Sequence, residues 1–216
     1  MKKIILSLLV IASGIFAKAQ DAKAQDAKSA LASTEIVWFG LDFTKAKFVG
    51  AFDQAGGVAP ATGSDMKSKW IPSWNSLIAK EPQNFDLKKS FRKDNVIYDL
   101  KSVNELNGKI DVDACMVYNE GKIERTEIDG MVKKYTADIK KDGIGVSFII
   151  ENFNKGSQEA TLFVTFFDIA TKKVLVCEKM TGKPVGMGMR NYWAGAIKAI
   201  LKQIDAKEYK NWKSKN

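Results

Sequence analysis

From Glu35 to Phe43 the chain reads EIVWFGLDF, with only Glu35, Gly40 and Asp42 breaking the run of large apolar side chains. Such near-continuous apolar and β-branched content predicts a strand covered on both faces. The two strongest strand signals lie later, IGVSFIIENF at 144–153 and ATLFVTFFDI at 160–169, joined by the short polar turn NKGSQ. ATKK then leads into VLVCEKM at 174–180, so three sequential antiparallel strands, a β-meander, are expected. Weaker strand patterns occupy NVIYDL at 95–100 and residues 110–118.

Helical spacing appears in three places. IPSWNSLIAKE places Pro72 at a helix start and Trp74, Leu77 and Ile78 on one side. Thr126 to Asp129 has capping-box spacing, and Ile128, Met131, Val132, Tyr135 and Ile139 follow on one face, which predicts a helix over 127–140 weakened by Gly130 and ended by Gly143. The last helix starts at Asn191, with Trp193, Ile197, Ile200, Leu201 and Ile204 as a stripe and Lys198, Lys202 and Asp205 off it. Residues 50–69, rich in Gly, Ala and Ser, read as a long surface loop. The pieces predict one α/β (α+β) domain over 34–210. Its mixed, largely antiparallel sheet of about six strands carries the meander, and helices cover it, including the long C-terminal one.

The ends of the chain add its location. Lys2 and Lys3 precede a short apolar core from Ile4 to Phe16 and a small-x-small site at Ala17-Lys18-Ala19, the pattern of a signal peptide over 1–19. That run is too short to span a bilayer. Residues 20–33, in which KAQDA repeats at 18–22 and 23–27, form a flexible Ala-rich lead-in. Residues 211–216 are a basic tail. The expected location is therefore periplasmic or secreted, with no transmembrane segment.

Of 34 basic residues the leader holds three, and it holds none of the 25 acidic ones, which leaves the processed chain at +6. This modest, spread charge does not point to nucleic acid. Histidine is absent. Ser-His-Asp and Cys-His catalysis are thereby removed, as are histidine metal sites. Cys115 and Cys177 either pair in an exported chain or stay as buried free thiols. No metal or cofactor site is expected.

Candidate chemistry centres on GMGMRN at 186–191. The third glycine of a dinucleotide fingerprint is replaced by Asn191, and no buried strand precedes it. Two readings stay open. Gly186 and Gly188 form a turn into a helix capped by Asn191, or Arg190 and the helix start hold an anion. Asp111 and Asp113 share one face of the expected third strand, about 7 Å apart, and Asp42 ends the first strand. Trp70 and Trp74 flank the 50–69 loop and could stack on a sugar or peptide. Trp212 among lysines suits contact with a membrane surface or a partner.

The stretch ATLFVTFFDIATKKVLVCEKMTGKP, a strand, a D-x-x-T turn, a second strand and a glycine, resembles the hairpin of periplasmic α/β domains of the curli-secretion-subunit and TolB N-terminal families. NYWAG is similar to an ending seen in small secreted proteins of Gram-negative bacteria. The likeness covers 144–205 and carries no catalytic residues. There is no lipobox cysteine. It implies a non-enzymatic envelope protein that binds or assembles with a protein or an envelope polymer, with peripheral membrane contact left open. The alternatives are a carboxylate enzyme acting on a glycan or peptide, with 50–69 as its lid, and an adhesive surface module. Intact-mass measurement of protein from the periplasm or medium should find a chain starting at Gln20; a retained leader would overturn the export reading.

Overall fold

The computed structural model describes residues 26–52 and 59–216. The expected leader and residues 20–25 lie outside them. In chain order the elements are α1 (Ala27–Ala32), β1 (Glu35–Asp42), β2 (Lys47–Val49), α2 (Gly63–Asp65), a π-helical turn (Met66–Trp70), α3 (Ile71–Lys80), α4 (Leu87–Ser90), β3 (Asn95–Tyr98), α5 (Lys101–Asn107), α6 (Val112–Cys115), β4 (Met116–Val117), α7 (Arg125–Val132), β5 (Ile144–Asn154), β6 (Glu159–Asp168), β7 (Val174–Gly182), α8 (Gly188–Gln203), a second π-helical turn (Ile204–Glu208) and α9 (Tyr209–Lys215). None of the described helices is long and apolar enough to cross a membrane.

The seven strands form one sheet, and along β3-β1-β5-β2-β4 every pairing is parallel. β6 adds to β5, and β7 to β6, antiparallel. The expectation of about six strands in a largely antiparallel meander sheet is therefore overturned. The reason lies in β1, whose inner residues are buried on both faces, as parallel strands between helices are. β1 and β2 run end to end along one edge of β5, pairing with residues 145–149 and 152–154. β3 and β4 continue the same arrangement outside them.

Helices cover both faces. Ile36, Trp38, Val146, Phe148, Val164 and Phe166 belong to the larger core, which α1, α3, α4, α8 and α9 close. Val37, Phe39, Ile149 and Phe167 belong to a smaller core under Val103 of α5 and Ile128, Met131 and Val132 of α7. The β1–β3 connection thus lies mainly over one face and the β3–β5 connection over the other. The winding reverses between β1 and β5.

Backbone pairing at the end of β1 is unusual. β3 pairs only with residues 35–38, so Leu41 and Phe43 lack a strand partner on that side. Two amides replace it. Asn75 of α3 accepts from Leu41 N–H (2.7 Å) and donates to its carbonyl (2.9 Å). Asn107 of α5 also donates to the Leu41 carbonyl (2.8 Å) and accepts from Phe43 N–H (2.7 Å). Gly40 makes room for Asn75: at φ +105° a Cβ would stand 2.6 Å from Asn75 Oδ1.

Several local expectations change. Residues 110–118 are not one strand, because the Asp111 carboxylate accepts from Asp113 and Ala114 N–H and caps α6. Asp111 and Asp113 are thus no strand pair. α7 starts earlier than expected, with Glu124 and Glu127 as its capping box, and stops at Val132. Beyond it Asp138 and Ile139 donate backbone N–H to Asp99 (2.7 and 2.9 Å), and Ile139 is exposed. Part of the expected 50–69 loop, from Gly63 onward, is helical and runs through a π turn into α3; residues 53–58 lie outside the described part. Within the expected lead-in, α1 is packed, with Ala30 and Leu31 buried.

α8 lies on β7 so closely that a Cβ on Gly182 would come 2.4 Å from the Ala196 carbonyl. Ile200 is fully buried there and Lys202 exposed. Ile200→Asp should cost roughly 3 kcal/mol or more, because the charge has no partner, while Lys202→Asp should stay within about 0.5 kcal/mol. Equal melting temperatures for the two variants would show that the packed face is wrong.

Candidate functional site

β1 ends at Asp42, beside the point where the winding reverses, a position that in open α/β sheets commonly binds ligands. The Asp42 carboxylate is fully buried. One oxygen accepts from Thr44 N–H (2.8 Å) and Thr44 Oγ1–H (2.6 Å), the other from the Tyr135 hydroxyl (2.6 Å). Tyr135 comes from the segment after α7. Its ring stacks on Phe39 and meets Phe167 edge-on. Ser147 of β5 donates to the Gly40 carbonyl (3.0 Å) and stands 3.4 Å from the Tyr135 oxygen.

Burial pushes the Asp42 carboxyl above its ordinary 3.8, against the opposing pull of its Thr44 and Tyr135 donors. Burial, and then the charge of Asp42, lift the Tyr135 phenol well above 10. Both groups are committed to each other, so neither is a ready base or nucleophile. They form a rigid floor.

Over this floor lies a crevice of about 240 Å³ lined by Asp42, Thr44, Lys45, Leu106, Lys109, Met131 and Lys134. Lys45 pairs with Glu127, whose carboxyl this bond holds below the usual value. Among the described residues, Lys109 and Lys134 have no ion-pair partner. Two cations without a contact ion pair therefore rim a small crevice, and Lys134 lies near enough for its charge to act on Asp42 beneath.

The candidates in GMGMRN lie elsewhere. Gly186, Arg190 and Asn191 line a separate depression of about 330 Å³ between α3 and α8, together with Glu81, Asn84 and Lys198. Gly188 is outside it. α8 begins at Gly188, so Asn191 does not cap it; its Oδ1 accepts from Arg190 Nε (3.1 Å). Gly186 and Gly188 take φ +144° and +73°, as a tight turn requires.

Trp74 Nε1 donates to the Arg190 carbonyl (3.0 Å) and Trp70 stacks on Trp74, which brings these three candidates together. Trp74 is buried, however, and serves the core rather than a ligand. Trp212, expected at the surface, is buried against Phe166 and Tyr209, because the tail continues as α9. Cys115 and Cys177 are free thiols. Cys115 adjoins β4 at one edge of the sheet and Cys177 lies on β7 at the other, so no disulfide joins them.

Sequence reasoning singled out Asp42 only as an acid at a strand end. From the sequence Tyr135 reads as part of a helical stripe, and no signal marks Lys109 or Lys134. Among the described residues, no group of three acidic or cysteine side chains could hold a metal ion. The chain matches no protein-family model and no curated protein sequence.

The Asp42 shift sets a pH dependence. Between pH 3.8 and the raised native value, the native state keeps a proton that the unfolded chain has released. Asp42's contribution to stability therefore falls as pH rises through that window. The melting temperature of the wild type minus that of Asp42→Asn should decline from acid toward neutral pH and then level off. A difference that grows with pH would show that the three hydrogen bonds outweigh burial.

Proposed function

We propose that the protein is an exported, non-enzymatic binding protein of the bacterial envelope, and that its crevice over Asp42 takes a small anion or the anionic group of a larger envelope molecule. The observation that carries this reading is the pair Lys109 and Lys134, which form no contact ion pair at the rim of a crevice beside the winding reversal. At about 240 Å³ the space is below the usual range for whole drug-sized ligands, so it suits one carboxylate, sulfate or phosphate group. The leader pattern and the hairpin's likeness to envelope-assembly domains support the location. The absence of histidine and the committed state of Asp42 and Tyr135 support binding rather than catalysis.

Thermal shift against phosphate, sulfate, citrate and a uronic acid tests this. At a concentration about 100 times the Kd, a bound anion adds about 2.7 kcal/mol of stability. Stabilisation should saturate, vanish in Lys109→Glu/Lys134→Glu, and survive in Arg190→Ala. If no anion stabilises the protein, the reading fails. Loss in Arg190→Ala alone would move the site to the α8 turn.

A further inference from the structure

Only four large hydrophobic side chains among the described residues are strongly exposed, and two of them, Val185 at 73% and Met187 at 90%, stand two residues apart in the β7–α8 loop. Their exposure is built in. The Val185 backbone presses on α8 so tightly that a Cβ on Gly195 would lie 1.9 Å from the Val185 carbonyl oxygen. One on Gly186 would lie 2.8 Å from the Asn191 carbonyl. With Pro184 and Met189 buried on either side, the loop is clamped to the first turns of α8, and Val185 and Met187 project from it. An apolar tip held rigid in this way loses little conformational entropy when it is buried against something else.

The charge around this tip narrows what that something is. From Lys183 to Ile204 the chain carries Lys183, Arg190, Lys198 and Lys202 and no acidic residue, while Lys179 before them is paired with Glu151. Lys183 and Arg190 flank the tip and are exposed. Glu81, the acid that shares the adjacent depression, accepts from Asn84 Nδ2 (2.9 Å). At the same end of α8, Tyr192 is half-buried with the Lys155 ammonium 5.8 Å from its ring centre. An exposed pair of apolar side chains between cations, Val185 at the rim of that depression, with an amphipathic aromatic beside them, matches the interfacial layer of an anionic membrane. There the apolar tips enter the headgroup boundary and the cations meet lipid phosphates.

We infer that the β7–α8 loop is a membrane-docking tip, in which Val185 and Met187 insert among anionic lipids while Lys183 and Arg190 hold headgroup phosphates. This surface is distinct from the crevice over Asp42 and does not depend on an anion binding there.

Co-sedimentation of the processed protein with vesicles of phosphatidylcholine containing one-third phosphatidylglycerol (about 30%), compared with phosphatidylcholine alone, tests it. Binding should require phosphatidylglycerol and weaken as salt rises. Val185→Asp/Met187→Asp should lower partitioning by about tenfold or more, and Lys183→Ala or Arg190→Ala by about fivefold per lost cation. Because all four side chains are exposed, melting temperatures should stay unchanged, which separates lost docking from misfolding. Lys109→Glu/Lys134→Glu should bind vesicles as well as a charge-matched surface control does. Wild-type protein that ignores the anionic vesicles, or binds them equally with Val185→Asp/Met187→Asp, would overturn the proposal. So would full binding to phosphatidylcholine alone.

Discussion

A strand buried on both faces can leave no backbone N–H or C=O unpaired, and β1 outruns β3 by four residues. Leaving a buried amide without its partner costs about 1–3 kcal/mol, and two residues are at stake at this place. Asn75 from one layer of helices and Asn107 from the other converge on Leu41 and supply what a neighbouring strand would have supplied. Each amide therefore fixes the approach of its helix to the sheet. Gly40 must be a glycine to admit the Asn75 amide, and its positive φ coincides with a register shift against β5. Two residues on, Asp42 accepts from Tyr135 and β1 ends. The crevice opens just past this doubly capped stretch, with Asp42 and Thr44 in its lining.

Much of the second half of the chain was legible. β5, β6 and β7 are long, and short polar turns separate them, so periodicity and turn residues agree. The α8 stripe was legible because its five apolar positions face a single surface. The parallel half was not, since β2, β3 and β4 have three, four and two residues and carry almost no period. Parallel pairing also joins residues far apart in the chain, such as Trp38 and Val146, which no local pattern reports. Asp111 shows the same limit on a small scale: its side chain turns an apparent strand into a helix through two hydrogen bonds. Trp212 read as exposed because lysines surround it. On a helix those lysines point away while the indole packs under Phe166.

Buried charge follows a pattern of its own. Asp42 takes the hydroxyl of Tyr135, 93 positions later. The Glu151 carboxylate accepts from Ile123 N–H and pairs with Lys179 (2.6 Å). Asp99 holds the backbone at Asp138 and Ile139. Lys93, lowered by burial to about 8, donates to the Ser33 carbonyl (2.5 Å) and, at 3.3 Å, to those of Ala30 and Leu31. Tyr209 adds a second donor to Leu31 (2.7 Å). In each case a buried polar group ties a segment that local propensity would not place. Hydrophobic burial sets how strongly the layers adhere, but it is indifferent to small slips. A buried charge is not, because losing its partner leaves it uncompensated at about 3–5 kcal/mol. These groups therefore specify the path of the connections more than they add to stability.

The same logic explains the charge at the crevice. α5 ends at Asn107, against β1, and α7 ends at Val132 beside Tyr135, so both helices turn their C-termini toward Asp42. The partial negative charge of those ends favours the lysines that follow, Lys109 and Lys134. In doubly wound proteins that bind phosphate on helix N-termini, the helix itself provides the positive field. Here the helices oppose an anion, and Asp42 beneath opposes it as well, so any attraction for an anion rests on the two ammonium groups alone. Binding built this way is weak per contact and strongly screened by salt. It suits brief, repeated contact with a charged polymer rather than long retention of a single small molecule.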